Sequence, residues 1–291
     1  MNNEIIANWL SKSNCHAWFD IDGTIKHADK KYPDKFNPGV VDILLSLGEM
    51  ASTGACTDQS PHELYSFLVK MSPNNGGAIF TGPSVLEGGH VFVDKGAKVD
   101  QDFKILTSLE AQEEMRLGVN MFLSSWTAIA GDPDGWGLLP ELSTPVVLAR
   151  GKYQGVGSVS IWEKGPDVHS PDYHGDYELV YEWIKTQAES LELLKQTELK
   201  EAGNGTLRVV QIGYGKAPFL EKLHDQGAVD LSASLYCGDG LNDVDPAKVV
   251  KKYGGFVIAV NNACPELKSV ADVTTEGVAS DGITEIFQKI S

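Results

Sequence analysis

The sequence predicts an α/β protein: a Rossmann-like parallel sheet covered by helices, with an α+β domain inserted into it. Three observations carry this. Short apolar runs alternate with helix-length amphipathic segments at both ends of the chain. Two of those runs stop at an acidic, glycine-containing turn. The stretch between the two ends follows a different order of elements.

In chain order, residues 18–21 read as a strand, 40–49 as a helix, 51–56 as a strand, 61–71 as a helix and 84–93 as an extended run. The C-terminal third repeats the rhythm with a helix at 217–225, a strand at 234–237, a helix from about 244 to 253, a strand at 256–260 and a closing helix at 282–290. These stretches read as two halves of one sheet. The expected core is therefore 1–96 with 213–291, and the insert is 97–212.

Within the insert the order is long helix, paired strands, long helix, strand. Leu179, Val180, Trp183, Ile184, Ala188, Leu191 and Leu194 lie near helical spacing, a stripe expected to pack on the insert's own sheet. Along residues 157–164, Val159 and Ile161 point one way, and Ser158, Ser160, Trp162 and Lys164 the other. Such a polar face suits a lid over a ligand, and equally a solvated sheet face.

Composition excludes more than it identifies. The chain has 291 residues, 42% of them hydrophobic, enough for real cores. Lys+Arg 24 against Asp+Glu 40 gives a net charge of −16, which argues against a nucleic acid or an anionic membrane as the main partner. An anionic substrate would then need local cations to recruit it. Cys15, Cys56, Cys237 and Cys264 show no C-x-x-C spacing and read as reduced core thiols. Met1-Asn2-Asn3-Glu4 lacks a basic n-region, and no run approaches the ~20 apolar residues of a membrane span, so a cytoplasmic protein is expected. The sequon Asn204-Gly205-Thr206 then reads as chance or a turn.

The chemistry sits in two acidic clusters. Asp20-Ile21-Asp22-Gly23-Thr24 follows the apolar run Ala17-Trp18-Phe19, and Gly238-Asp239-Gly240-Leu241-Asn242-Asp243 follows Ser234-Leu235-Tyr236-Cys237. Brought together at adjacent strand ends, four carboxylates would make a hard-oxygen site for magnesium (Mg²⁺), and one could attack phosphorus. Neither cluster is an EF-hand: from Asp20, positions 6 and 12 are Ile25 and Lys31, and from Asp239 position 12 is Val250. An Asp/Gly-rich turn would explain either cluster alone, but much less readily both, each behind an apolar strand.

Two further segments fit an anion. Thr57-Asp58-Gln59-Ser60-Pro61 follows a strand and opens a helix, so hydroxyls and free N–H groups form a cradle while Ser60 caps and Pro61 takes the first helical position. Gly213-Tyr214-Gly215-Lys216-Ala217-Pro218 fails as a dinucleotide fingerprint because Pro218 replaces the last glycine; Lys216 just before a helix fits a phosphate partner or a surface charge.

In order, Asp20-x-Asp22-Gly23-Thr24, Thr57, Lys216 and Gly238-Asp239-x-x-Asn242-Asp243 resemble the four motifs of haloacid-dehalogenase-like (HAD) phosphatases. The insert before Lys216 and the tail Ala259-Val260-Asn261-Asn262-Ala263 with Glu266-Leu267 are similar to the Cof-type branch, close to sugar-phosphate phosphatases of the trehalose- and sucrose-phosphatase kind. Asp58-Gln59 departs from the Gly-Arg that such proteins often carry.

The resemblance implies a Mg²⁺-dependent phosphomonoesterase acting on a small phosphorylated metabolite, a sugar phosphate foremost, through an aspartyl-phosphate. It implies Asp20 as nucleophile and Asp22 as general acid and base. Mg²⁺ would be held by Asp20, the backbone carbonyl of Asp22 and Asp239, with Asp243 direct or through water. Thr57, Lys216 and Asn242 would hold the phosphoryl oxygens, with Asp58 placed in the same pocket by its position beside Thr57, while the alternation along residues 157–164, and not the resemblance, puts forward Ser160, Trp162 and Lys164 on the cap as readers of the substrate. A phosphomutase or phosphotransferase on a sugar phosphate is the rival reading, and a non-catalytic binding protein of the same fold the third.

Overall fold

The computed structural model describes residues 2–28, 31–75, 78–96, 99, 101–106, 136–137, 146–147, 158–162, 186, 197–203 and 206–288. The chain divides into two compact units, Met1–Lys104 with Tyr214–Ser291, and Ile105–Gly213.

In the first unit, β1 (His16–Phe19) lies second from one edge of a five-stranded sheet. Parallel partners flank it: β2 (Ser52–Ala55) in the register His16↔Ser52, and β11 (Ser234–Gly238) in the register His16↔Ser234. Beyond β11 come β12 (Phe256–Ala259) and β13 (Val273–Thr274), both parallel. Every residue of β1 and β11 is buried, which is why these strands read as unbroken apolar runs and not as alternating ones. Consecutive strands diverge to either side of β1, which opens a crevice at the carboxyl ends of β1 and β11.

The five helices expected in this unit form with ends shifted by up to three residues, and two short helices, at Asn2–Leu10 and Pro265–Val270, were not read from the sequence. α1 (Asn2–Leu10) buries Trp9, whose indole N–H donates to the carbonyl of Ala233 at 2.8 Å. α2 (Gly39–Met50) turns Val40, Ile43, Leu44 and Leu47 inward. α3 (Pro61–Met71) occupies the residues expected, because Ser60 and Glu63 close a capping box and Pro61 starts the helix. α4 (Lys216–Asp225) packs on α5 (Val244–Lys252), followed by α6 (Pro265–Val270) and α7 (Ala279–Phe287).

The run expected to be extended over 84–93 is instead a hairpin. β3 (Ser84–Leu86) pairs antiparallel with β4 (Val91–Val93) around the turn Glu87–Gly89. Gly88 (φ 62°) and Gly89 (φ 98°) supply the left-handed backbone that reverses the chain. β5 (Phe103–Ile105) extends that sheet in the order β3-β4-β5.

In the second unit, β6 (Trp136–Gly137) pairs antiparallel with β7 (Val146–Val147). β8 (Ser158–Trp162) and β9 (Thr197–Gly203) flank β10 (Thr206–Gln211), again antiparallel. The apolar stripe from Leu179 to Leu194 lies outside the described residues. None of the described helices is long and apolar enough to cross a membrane.

Candidate active site

The first acidic turn hangs from the end of β1. Beyond the end of β1, the Asp20 N–H still donates to the carbonyl of Cys237 at 2.9 Å, so the sheet ladder fixes its backbone. Its side chain is buried. The next residues wind round the carbonyl of Ile21, which accepts from the N–H groups of Thr24, Ile25 and Lys26. Gly23 has φ +87°, and a Cβ there would stand 2.1 Å from Asp239 Oδ2, so the close approach of the two acidic turns demands glycine.

The second turn folds back on itself. Fully buried Asp243 accepts the N–H groups of Asp239 and Gly240 on Oδ2, both at 3.0 Å. Its Oδ1 accepts the Tyr236 hydroxyl and Lys216 Nζ, both at 2.7 Å. Lys216, at the start of α4, also donates to Asp20 Oδ1 at 2.9 Å. One ammonium therefore bridges the carboxylates of both turns. Asp239, the remaining acid, accepts the Thr24 hydroxyl on Oδ1 at 2.9 Å.

Charge is unbalanced here. Burial, reinforced by the negative charge of Asp243, pushes the Asp20 carboxyl well above the usual carboxylate range against the pull of Lys216. Burial and Asp243 likewise raise Asp239 to about 8. Burial alone would lower Lys216, but the charges of Asp20 and Asp243 outweigh it and hold the ammonium protonated. One oxygen each from Asp20, Asp239 and Asp243 lies within 4.8 Å of the others. Three crowded carboxylates facing one ammonium fit a hard divalent cation, because it takes oxygen ligands and relieves their repulsion. Four donors already occupy the Asp243 oxygens, so Asp20 and Asp239 are better placed for direct ligation.

The loop after β2 lies on the other side of β1. Buried Thr57 is tied by its N–H to the carbonyl of Val85 and by its own carbonyl to the N–H of Gly88, at 2.9 and 3.1 Å. Asp58 Oδ2 accepts from Asn242 Nδ2 at 2.8 Å, which links this loop to the second acidic turn. Gln59 Nε2 donates to Asp22 Oδ2 at 2.7 Å, and Lys26 pairs with Asp22 Oδ1.

Of the expected residues, Lys216 joins Asp20 to Asp243, Asp243 holds the Asp239 N–H, and Asn242 meets Asp58, whereas Asp22 meets Gln59 and Lys26, and Thr57 lies in the adjoining loop. Ser160 and Trp162 fall on β8 in the second unit, and Lys164 lies outside the described residues.

Four participants were not singled out from sequence. Tyr236 was hidden in an apolar run, and Lys26 stands one helical turn's spacing after Asp22. Gln59 was noted only as a departure from a pattern. Asn262 was noted only in the tail, yet its amide donates to the carbonyl of Gly23 at 2.8 Å and to Asp239 Oδ2 at 3.4 Å, while its oxygen accepts the Ala279 N–H.

Comparison with known proteins agrees with the motif resemblance. Residues 176–287 match the family model for haloacid dehalogenase-like hydrolases. "Putative phosphatase YkrA" of Bacillus subtilis (strain 168) is 37% identical over 82 residues, 28% of this chain and only 30% of that protein's length. A haloacid dehalogenase-like hydrolase from Bacteroides thetaiotaomicron superposes with a TM-score of 0.64 at 15% identity, covering 96% of this chain and 100% of that one. A HAD subclass IIB sugar phosphatase superposes with a TM-score of 0.58 at 12% identity, covering 95% and 98%.

Proposed function

With the fold of the haloacid dehalogenase-like hydrolases in place, and their family model matched over residues 176–287, we propose that this chain is a Mg²⁺-dependent phosphomonoesterase. Its substrate class is a small phosphorylated metabolite, a sugar phosphate foremost. The observation that carries this reading is Lys216 bridging Asp20 and Asp243 where the ends of two adjacent parallel strands also bring up Asp239. The sugar phosphatase of the same fold supports the substrate class.

Phosphate monoesters resist attack because their oxygens repel a nucleophile, so the site must offset charge, align a nucleophile and protonate the leaving oxygen. Asp20 is the nucleophile: its carboxylate oxygen bonds to phosphorus as the ester P–O bond breaks. Asp22 gives its proton to the departing alkoxide. It then takes one from water, whose oxygen attacks the aspartyl-phosphate, frees inorganic phosphate and restores Asp20. Lys216 orients Asp20 and neutralises phosphoryl charge together with Thr57 and Asn242, while Asp58 holds the Asn242 amide in place. Asp20, Asp239 and the Asp22 carbonyl would hold Mg²⁺, with Asp243 joining through water; the ion would supply electrostatic stabilisation of the transferring phosphoryl group.

The unit Ile105–Gly213 would serve as the substrate-specificity cap, with Ser160, Trp162 and Lys164 meeting the leaving group. A cytoplasmic setting suits the four unpaired thiols. The test is release of inorganic phosphate from a panel of phosphorylated metabolites, with Mg²⁺ and with EDTA. Release that needs Mg²⁺ supports the proposal, and none from any ester ends it. Dependence of turnover on added glucose 1,6-bisphosphate would instead indicate a phosphomutase.

A further inference from the structure

We infer that Gln59 is a positioning residue for Asp22, the group assigned above to move the proton, and the inference rests on that assignment. Asp22 is held at both oxygens by contacts of opposite character. Lys26 reaches Oδ1 through an ion pair whose side chains are 29% and 57% exposed, so solvent screens it and it is readily exchanged. Gln59 reaches Oδ2 at 2.7 Å from a residue only 7% exposed.

Gln59 is itself held at every point. Its N–H donates to Thr57 Oγ1 at 3.2 Å, its carbonyl accepts from the Glu87 N–H at 3.0 Å, and the next residue, Ser60, is locked in the capping box of α3. A carboxylate only accepts, so the carboxamide must present Nε2 to Asp22. That choice leaves Oε1 buried with no hydrogen-bond partner among the described residues. A buried carboxamide oxygen left unpaired is costly, so this orientation indicates that the bond to Asp22 dominates the placement of the side chain.

The two contacts divide the carboxylate into a fixed and a working oxygen. Oδ2 stays tethered to Gln59, and Oδ1, once released by Lys26, carries the proton to the leaving alkoxide and from water. An amide thereby occupies the loop position where similar phosphatases often present a guanidinium, and it acts through the acid.

The experiment compares the full chain with Gln59→Met, Asp22→Ala and the double variant, with Mg²⁺ present. The probes are 4-nitrophenyl phosphate, whose leaving group needs no proton, and benzyl phosphate, whose alkoxide does. Gln59→Met is expected to lower kcat for benzyl phosphate about tenfold or more with KM within about twofold, and to lower it far less for 4-nitrophenyl phosphate. Added to Asp22→Ala, it should change 4-nitrophenyl phosphate turnover by less than about twofold, because the partner is gone. Equal losses on both esters, a raised KM with kcat retained, or an undiminished loss without Asp22 would overturn the inference. If the wild type releases no phosphate from either ester, the proposed function itself fails. Should Gln59→Met not fold, Gln59→Glu tests the same ordering, since a second carboxylate would push Asp22 out of place.

Discussion

The two acidic turns share a composition but are built differently. Asp243 is fully buried, and two of its four donors are N–H groups of its own turn. Asp22 is exposed and is held by side chains, one of them from the loop after β2. A carboxylate fixed by backbone cannot move without unfolding its turn, whereas one held by side chains can exchange partners within a catalytic cycle. The second turn is thus a fixed electrostatic frame, and the first carries the groups to which the proposed function gives the reacting roles.

Removing the frame should do the most damage. Asp243→Ala leaves Lys216 with one of its two carboxylate partners and strands the Tyr236 hydroxyl and two N–H groups, so we expect both lost turnover and a loss of about 3–5 kcal/mol in stability by urea unfolding. An unchanged unfolding midpoint would contradict this contrast. Asp20→Asn, by comparison, should lose almost all hydrolysis while the fold survives, because an amide is nearly the size of the carboxylate but a poor nucleophile. Turnover within about tenfold of wild type would remove Asp20 from the nucleophile role.

Asp22→Asn should separate substrates: severe for sugar phosphates, whose alkoxides leave badly unprotonated, and milder for an activated aryl phosphate. Asp239→Ala should raise the Mg²⁺ concentration needed for activity and weaken Mg²⁺ binding measured by calorimetry; full activity in EDTA would dismiss the metal.

An effect absent at neutral pH and confined to acid belongs to the far end of β1. Burial, with a contribution from the positive charge of Lys95, pushes His16 from 6.5 down to about 3, so the folded chain keeps it neutral where the unfolded chain protonates it. The stability this contributes is complete above pH 6.5 and is lost progressively as the pH falls toward 3. His16→Asn should flatten the decline in urea midpoint between these limits, and an unchanged slope would assign acid sensitivity to other groups.

How much of this was legible in the sequence follows from which interactions are local. The strands behind Asp20 and Asp239 and the cap at Ser60 are written in neighbouring residues, and all three form, the first strand beginning and ending two residues earlier than read. The Glu87–Gly89 turn was missed because an extended run was read through two glycines that reverse it. Gln59 with Asp22, Tyr236 with Asp243 and Asn262 with Asp239 are pairings across loops, which no periodicity encodes. Even the noted departure at Asp58-Gln59 did not say which partner each side chain would find.

The sheet order also bears on how the protein is made. β1 sits between β2, which the ribosome delivers soon afterwards, and β11, which follows only after the second unit; the Trp9 to Ala233 hydrogen bond alone spans 224 residues. One edge of β1 therefore emerges without its native neighbour and waits until the second unit has been made. During that interval an apolar strand with unpaired N–H and C=O groups is open to the wrong partner, so the yield of folded enzyme should depend on chaperone occupancy and elongation rate more than its final stability would suggest.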